Sequence, residues 1–578
     1  MKAPSLADLP LFEGVDPEML RLANRDVEWF ALPAERALFQ AGDKADALYL
    51  LVTGTLVVIR DGALSKPDVV GYIRPGEPVG EMALVMTQPH SISVFALRDS
   101  ELIRLPVARF EQLMDTHPQL VRRLSQLMLS RLTGGTTRLK EREPRVFALI
   151  STSPSIDLVF RATELRAAIL LLGRSCQILD EQCEDWTVQQ LDAAERDNDV
   201  VLMIAGLGGD SWTRLAMGRA DRVWLLARSD ARPSTPILDE KKSPAAHLKL
   251  IDVVLLHFGG VQPATAPQAW IDSAEAARLF HWRQDRHQAD VARLARTICG
   301  CSIGLVLSGG GARAYAHIGV VRALREADVP IDFVGGVSMG AIVAAGVAME
   351  WSDEDLVSRI RRAFVHSDPL NDWRLPVVSI ARGGKVDRRL KDHFGELQIA
   401  EMCIPFFCVS SSLSKGESRL HRSGRLRDAL RASIAIPGLL PPVVLGEEVL
   451  VDGAVCSNFP VDEMQAFHRG VTIGADVTQG MHMEIDDFID PPGFVSWVRR
   501  HGFRELPPIA SILMQAATFS SKAMGQQPSM LVRPPVEAEI RDWKRFEETV
   551  QTGYDAAKIA LGEKSALLDQ KASIPRRI

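Results

Sequence analysis

An apolar run from Ile303 to Ser308 opens into Gly309-Gly310-Gly311-Ala312-Arg313. It continues as AYAHIGVVRALREADV, whose apolar residues recur at helical spacing. A second unit follows at once. The run IDFVGG delivers Gly336-Val337-Ser338-Met339-Gly340, and the small apolar stretch MGAIVAAGVAMEW comes after it. Strand, glycine turn, helix and strand again is a parallel β-α-β unit, which brings both strand ends to one edge of one sheet. Three glycines at a helix start aim several N–H groups at one place, and such a place stabilises an anion. That anion is either a bound phosphate or the oxyanion of an acyl transfer. A dinucleotide fingerprint would need a third glycine where Ala314 stands.

Residues Gly336 to Gly340 fit G-x-S-x-G, a turn that exposes a serine hydroxyl. With 42 glycines in 578 residues, chance supplies about 0.2 such matches, so the motif decides little alone. A serine also needs a base. Among the thirteen histidines, His317 falls inside a helical pattern, and His421, His468 and His482 lack flanking turn signals. A different candidate is Leu450-Val451-Asp452-Gly453-Ala454, where an aspartate ends an apolar strand. Burial would raise its pKa and make it a base, although Asp-Gly after a strand is by itself most often a turn.

At this length the chain holds three or four domains. A net charge of −6 gives no nucleic-acid footprint. No run approaches a membrane span, and MKAPSLADLPLFEG lacks the apolar core of a signal peptide. The expected location is cytoplasmic, with contact to the inner face of a membrane left open. Cys176, Cys183, Cys299, Cys301, Cys403, Cys408 and Cys456 show no CxxC pair and no zinc spacing, so no metal and no cofactor is expected.

Between Val27 and Leu105, alternating apolar runs separated by turn signals predict a small antiparallel barrel or sandwich, and Phe110 to Leu132 predicts one helix ending at Gly134-Gly135. From Arg145 to about Arg286 the runs VFALIS, DVVLMIAG, RVWLLAR and IDVVLLH alternate with helical patterns, the pattern of an α/β domain with a mostly parallel sheet. Its Gly206-Leu207-Gly208-Gly209-Asp210 lacks the lysine of a P-loop, which predicts a scaffold, and Trp186, Trp212, Trp224 and Trp270 are expected to pack. From Pro491 onward, FVSWVRRHGFRELPPIASILMQAATF reads as an apolar helical stretch with a basic start, expected against the sheet rather than on a membrane.

Two resemblances organise these readings. Gly42-Asp43, Tyr49, Gly54 and Gly80-Glu81-Met82-Ala83-Leu84 resemble the cyclic-nucleotide-binding domain. The resemblance implies Gly80, Glu81 and Ala83 as ligand contacts, with the cassette glutamate on the ribose. Where that family carries a phosphate-binding arginine this chain has His90, mostly neutral near pH 7, so nucleotide binding is expected to be weakened or lost. The ordered set Gly309-Gly310-Gly311-Ala312-Arg313, Gly336-Val337-Ser338-Met339-Gly340, Ala435-Ile436-Pro437-Gly438 and Asp452-Gly453-Ala454 resembles the patatin-like phospholipases. This implies Ser338 as nucleophile, Asp452 as general base, and Gly309, Gly310, Gly311 and Arg313 as oxyanion hole. The order of barrel, α/β segment and patatin domain is similar to that of the neuropathy target esterase family.

The expected fold is therefore multidomain: a cyclic-nucleotide-binding-like β-barrel with flanking helices over 1–140, an α/β domain without a P-loop over 141–290, and an α/β patatin-like catalytic domain with a mostly parallel sheet over 300–480. A helical extension over 481–578 is expected to pack on the last. The resemblance implies hydrolysis of a lysophospholipid or phospholipid acyl ester through an acyl-serine, with the barrel as a regulatory or assembly module. An acyltransferase using the same acyl-enzyme and a catalytically silent ligand sensor are the alternatives. A homo-oligomer and a peripheral membrane contact are compatible with the sequence.

Overall fold

The structure is a computed structural model. It describes the chain apart from residues 1–5, 7–8, 19, 21–24, 26, 64–65, 134–142, 235–242, 260–262, 366–371, 373–376, 479–495, 497–498, 500–525, 538–542 and 573–578.

The first unit is a pair of four-stranded antiparallel sheets. One runs Glu28–Leu32, Ser100–Pro106, Ala47–Thr53, Pro78–Val79; the other Ala37–Phe39, Ser93–Ala96, Leu56–Ala63, Lys66–Ile73. Adjacent residues of a strand point to opposite faces, and here both faces are covered. Leu48 and Leu50 pack with the N-terminal segment and the helices after the barrel, while Leu51 and Leu102 pack against the opposite sheet. The single helix expected over Phe110–Leu132 is two, Val107–Thr116 and Pro118–Thr133, broken at His117. The residue before a proline is pushed out of the helical region, and His117 sits at φ −128 and ψ 85.

The second unit is a six-stranded parallel sheet in the order Cys176–Leu179, Val200–Gly206, Val146–Ser151, Arg222–Arg228, Leu250–Leu256, Arg278–Trp282. Its first and last strands were not among the expected runs. Arg278–Trp282, RLFHW, hides in the sequence because it carries a charge, yet it is buried throughout. The fully buried Asp252 of the neighbouring strand compensates that charge, with Arg278 Nη2 at 2.5 Å and Arg222 Nε at 2.8 Å. The glycines at 206–209 lead into Asp210, whose carboxylate caps the helix Ser211–Arg219 through the Thr213 N–H at 2.6 Å. Trp212 and Trp270 donate their indole N–H groups to Ile204 O and Ala231 O and are packed, as is Trp224.

Barrel and middle sheet are tied by Arg98. It is 3% exposed and pairs with Glu195 at 2.9 Å and Asp221 at 2.9 Å.

The third sheet runs Val443–Leu445, Glu448–Asp452, Phe406–Ser412, Phe333–Val337, Ser302–Leu307, Gly470–Ala475, Met530–Val532, with Glu417–His421 pairing off the path. Its centre is parallel; Glu448–Asp452 runs antiparallel to Phe406–Ser412. The last strand, Met530–Val532, lies beyond the expected limit at residue 480 and pairs in parallel with Gly470–Ala475. The helix Phe546–Ala572 packs on Ala316–Glu326 with two glycines at the crossing. A Cβ on Gly319 would overlap Val550 O, and one on Gly553 would overlap Ala316 O. The apolar stretch expected between 491 and 519 lies, apart from Ser496 and Arg499, outside the described residues. Among the described residues no helix is long and apolar enough to cross a membrane.

Candidate active site

Ser338 ends the strand Phe333–Val337 and caps the helix Met339–Ala348. Its backbone sits at φ 54 and ψ −129, a strained setting for a residue with a Cβ. The turn can exist because of its glycines. A Cβ on Gly340 would overlap the carbonyl oxygen of Ser308, and one on Gly336 would lie 2.8 Å from the Gly340 carbonyl. The helix start is thereby pressed onto the strand Ser302–Leu307. A third group holds the strain: Ser338 N–H donates to Ser433 Oγ at 2.9 Å, and Ser433 Oγ–H donates to Val409 O at 2.7 Å.

Asp452, fully buried at the end of Glu448–Asp452, accepts Ser338 Oγ–H on Oδ2 at 2.7 Å and the Ala454 N–H on Oδ1 at 2.9 Å. Its own N–H donates to Ala435 O at 2.9 Å, which is what the Ala435-Ile436-Pro437-Gly438 segment contributes here. A Cβ on Gly453 would overlap Val409 O, so only glycine lets the chain turn there. Ser411 Oγ braces this turn by donating to Gly453 O at 3.2 Å and accepting Cys456 N–H at 3.0 Å. Burial pushes the Asp452 carboxyl up to about 7, against the two hydrogen bonds that favour its anion.

The histidines stand elsewhere. His317 contacts Ser308 O through Nε2 at 2.9 Å, His421 pairs with Ser410 Oγ at 2.7 Å, and His468 lies between Ser302 and Thr472. Burial pushes the pKa values of His317 and His421 down to about 4. His482 lies outside the described residues.

The glycine loop faces the same crevice. Gly309 backs onto the nucleophile, since a Cβ there would lie 3.2 Å from Ser338 Cβ. Its N–H already donates to Asn458 O at 3.2 Å, and the Arg313 N–H donates to Gly310 O at 3.2 Å. Gly310 and Gly311 start a 3-10 turn, Gly311–Tyr315, with Gly311 at φ 58. The first N–H groups of such a turn have no acceptor within it. The regular helix begins only at Ala316.

In the barrel, Gly80 caps the helix Glu81–Met86 at φ 91, and the Glu81 side chain is buried. Its carboxylate is already occupied: Arg131, from the helix after the barrel, reaches Glu81 Oε1 at 2.6 Å and Pro78 O at 2.9 Å. Ala83 is buried in the same turn and accepts the Gln88 N–H at 3.0 Å. His90 is buried and stacked on Phe39 with centroids 3.6 Å apart, and desolvation lowers its pKa below the ordinary value, leaving it neutral. Ser433, Asn458 and Arg131 had no sequence signal, because each acts on a residue far along the chain. Among the described residues no cluster of side chains could hold a metal ion.

Residues 305–464 match the family described as patatin-like phospholipase, and residues 29–117 match the cyclic nucleotide-binding domain. An uncharacterized NTE family protein of Mycobacterium tuberculosis is 29% identical over 96% of this chain and 96% of its own. Human patatin-like phospholipase domain-containing protein 6 is 26% identical over 93% of this chain and 44% of its own. Lysophospholipase nte1 of Aspergillus niger is 27% identical over 97% and 43%. This chain spans under half the length of the last two.

Proposed function

Because the chain belongs with the patatin-like phospholipases of the neuropathy target esterase type, a family of hydrolases, we propose that it is a serine esterase acting on acyl esters of lysophospholipids or phospholipids. Ser338 Oγ attacks the ester carbonyl as Asp452 Oδ2 takes its proton. The N–H groups of Gly310 and Gly311 meet the oxyanion, a narrower set than the four residues expected from sequence, because those of Gly309 and Arg313 are already committed. Asp452 returns the proton to the leaving alkoxide. It then takes one from the water that attacks the acyl-serine, and Ser338 is restored.

The observation that most supports this reading is the 2.7 Å bond from Ser338 Oγ to a carboxylate with no cation among the causes that set its pKa. A carboxylate neutralised by arginine would be a poor base; one held near neutrality by burial is a competent one. The nucleophile's helix also borders a small apolar cavity of about 20 Å³, room for little more than one water in this structure. Ile342, one turn past Ser338, lines it with Trp351, Phe364, Leu390 and Phe394, and Arg359 and Arg389 border it. In this reading the barrel is an assembly or regulatory module, fixed to the middle sheet through Arg98 and independent of a cyclic phosphate.

The test is incubation with a fluorophosphonate probe and with lysophosphatidylcholine, beside Ser338→Ala and Asp452→Asn. Wild type should label and release fatty acid, and both variants should not. If wild type does neither, the reading fails.

A further inference from the structure

The outer edge of the catalytic sheet carries apolar side chains where water would favour polar ones. In the edge strand Val444 stands opposite Val449, and Leu413 N–H donates to Val449 O at 2.9 Å, so Val444, Val449 and Leu413 form one row across three chain segments. They are 67%, 37% and 57% exposed. The adjacent row faces inward, since Leu450 and its partner Ser412 are buried. An antiparallel pair with one wet face alternates apolar inside and polar outside, and here the wet row is apolar too. The row stands on the edge into which the nucleophile opens. Val337 pairs with Val409 and Asp452 with Ser410, which puts Ser338 and Asp452 at one level; Leu413 and Val449 lie three residues farther out, about 10 Å.

A second exposed apolar pair, Val377 and Val378, reaches the same region. Ser379 bridges to Gly438, Ile380 N–H donates to Gly438 O at 2.8 Å, and Ala381 N–H donates to Leu439 O at 2.9 Å. That segment runs on through Pro441 into the edge strand Val443–Leu445, and a Cβ on Gly383 would lie 3.4 Å from Pro441 Cδ. At Gly383 the helix Gly384–Phe394 begins. Its exposed Lys385, Arg388 and Lys391, with Arg382 before them, form no ion pair with any described residue, because Asp387 is held by Arg431 at 2.8 Å and Asp392 by Arg389 at 3.2 Å. The hairpins' own charges nearly cancel, Lys415 and Arg419 against Glu417, Glu447 and Glu448, so the excess of cations lies on the helix. Exposed apolar side chains beside unpaired cations suit a boundary where acyl chains lie under anionic headgroups. Resting on the esterase reading above, we propose that this rim docks on an anionic phospholipid surface and opens the crevice onto the lipid. The valines and Leu413 enter the acyl boundary, and the helix cations meet the phosphates.

The test is sedimentation of the full chain with vesicles of equal parts phosphatidylcholine and phosphatidylglycerol, and with vesicles of phosphatidylcholine alone. Val444→Asp with Leu413→Ser probes the apolar row, and Lys385→Gln with Arg388→Gln probes the helix. Each pair should weaken binding to the mixed vesicles at least about tenfold. Wild type should bind phosphatidylcholine alone more weakly, a preference that rising salt erases. Fluorophosphonate labelling and hydrolysis of the soluble ester p-nitrophenyl butyrate should stay within about twofold in both variants, while fatty acid release from vesicle-borne substrate falls with the binding. If the Val444 and Leu413 variant does not fold, the Lys385 and Arg388 variant decides, since both of its side chains are exposed. Wild type that does not sediment with the mixed vesicles, or variants that bind as it does, overturn the proposal. So does gel filtration showing a dimer that Val444→Asp dissociates, because a second copy of the chain would then cover the row. Sedimentation reads the rim without turnover. Wild type that sediments yet neither labels nor hydrolyses sinks the esterase reading alone, and wild type that labels and hydrolyses without sedimenting sinks the docking alone.

Discussion

Glu81 in the barrel and Asp452 in the catalytic crevice are both carboxylates taken out of water beside a glycine, and their surroundings treat them in opposite ways. Glu81 meets Arg131 at 2.6 Å. Asp452 meets a hydroxyl and one backbone N–H. A carboxylate paired with a cation holds structure together; one buried without a cation is driven toward its neutral form and is poised to take a proton. The most damaging way to break this contrast is Asp452→Asn, which keeps the shape and removes the base. We expect kcat to fall at least about 10⁴-fold, as when one member of a serine-base unit is lost, while Glu81→Gln leaves kcat within a few-fold. Steady-state release of fatty acid from both variants, beside circular dichroism for folding, checks it.

The pH dependence sharpens the same contrast. Activity should rise with a midpoint near 7 as Asp452 loses its proton, a limb that rate-against-pH measurement on wild type would show and that Asp452→Asn would lack. Stability should move the other way. The folded pKa lies above the unfolded one, so between pH 4 and 7 the native state keeps a proton that the unfolded chain has released. Stability therefore falls across that window and is flat above it. The total is at most on the order of 4 kcal/mol. Asp452→Asn should then raise Tm relative to wild type most at pH 8 and by less than half as much at pH 5. An equal effect at both pH values would contradict the buried, cation-free setting.

How much of this could be read from the chain follows from the kind of constraint. Ser338, Asp452 and the glycine loop announce themselves because each needs a glycine next to it for a backbone reason: Gly340 under the strand, Gly453 against Val409 O, Gly311 at positive φ. Arg131, Ser433 and Asn458 act through tertiary contacts, and nothing in their neighbours in sequence marks them. The strand Arg278–Trp282 was hidden for a related reason. Its buried arginine looks polar until Asp252, in the adjacent strand, is seen to compensate it. His117 shows the converse, a break that Pro118 declares and that helical periodicity over Phe110–Leu132 masked.

In the barrel, Arg131→Leu should strip Glu81 of its partner cation and cost about 2 kcal/mol, below the usual range for a fully buried pair because the Arg131 side chain is 24% exposed. Chemical denaturation would register it, and Arg131→Lys should recover part of the loss. No change in kcat is expected, since the pair lies outside the crevice.

The smallest cost in stability falls at Ser433, which stands between the nucleophile and the strand Phe406–Ser412. It has no proton to exchange with substrate, because its Oγ–H already donates to Val409 O while the oxygen accepts the Ser338 N–H. Ser433→Ala removes the one acceptor that holds the strained φ of Ser338 and leaves a buried N–H unpaired, a cost of about 1–2 kcal/mol in stability. Freed of it, the nucleophile's turn relaxes, and Ser338 Oγ loses alignment with Asp452. We expect kcat to drop about tenfold with the pH midpoint unmoved, because the carboxylate's burial is untouched. A shift of that midpoint in Ser433→Ala would mean instead that this hydroxyl helps to set the base, and Asp452 would no longer stand as a carboxylate tuned by burial alone.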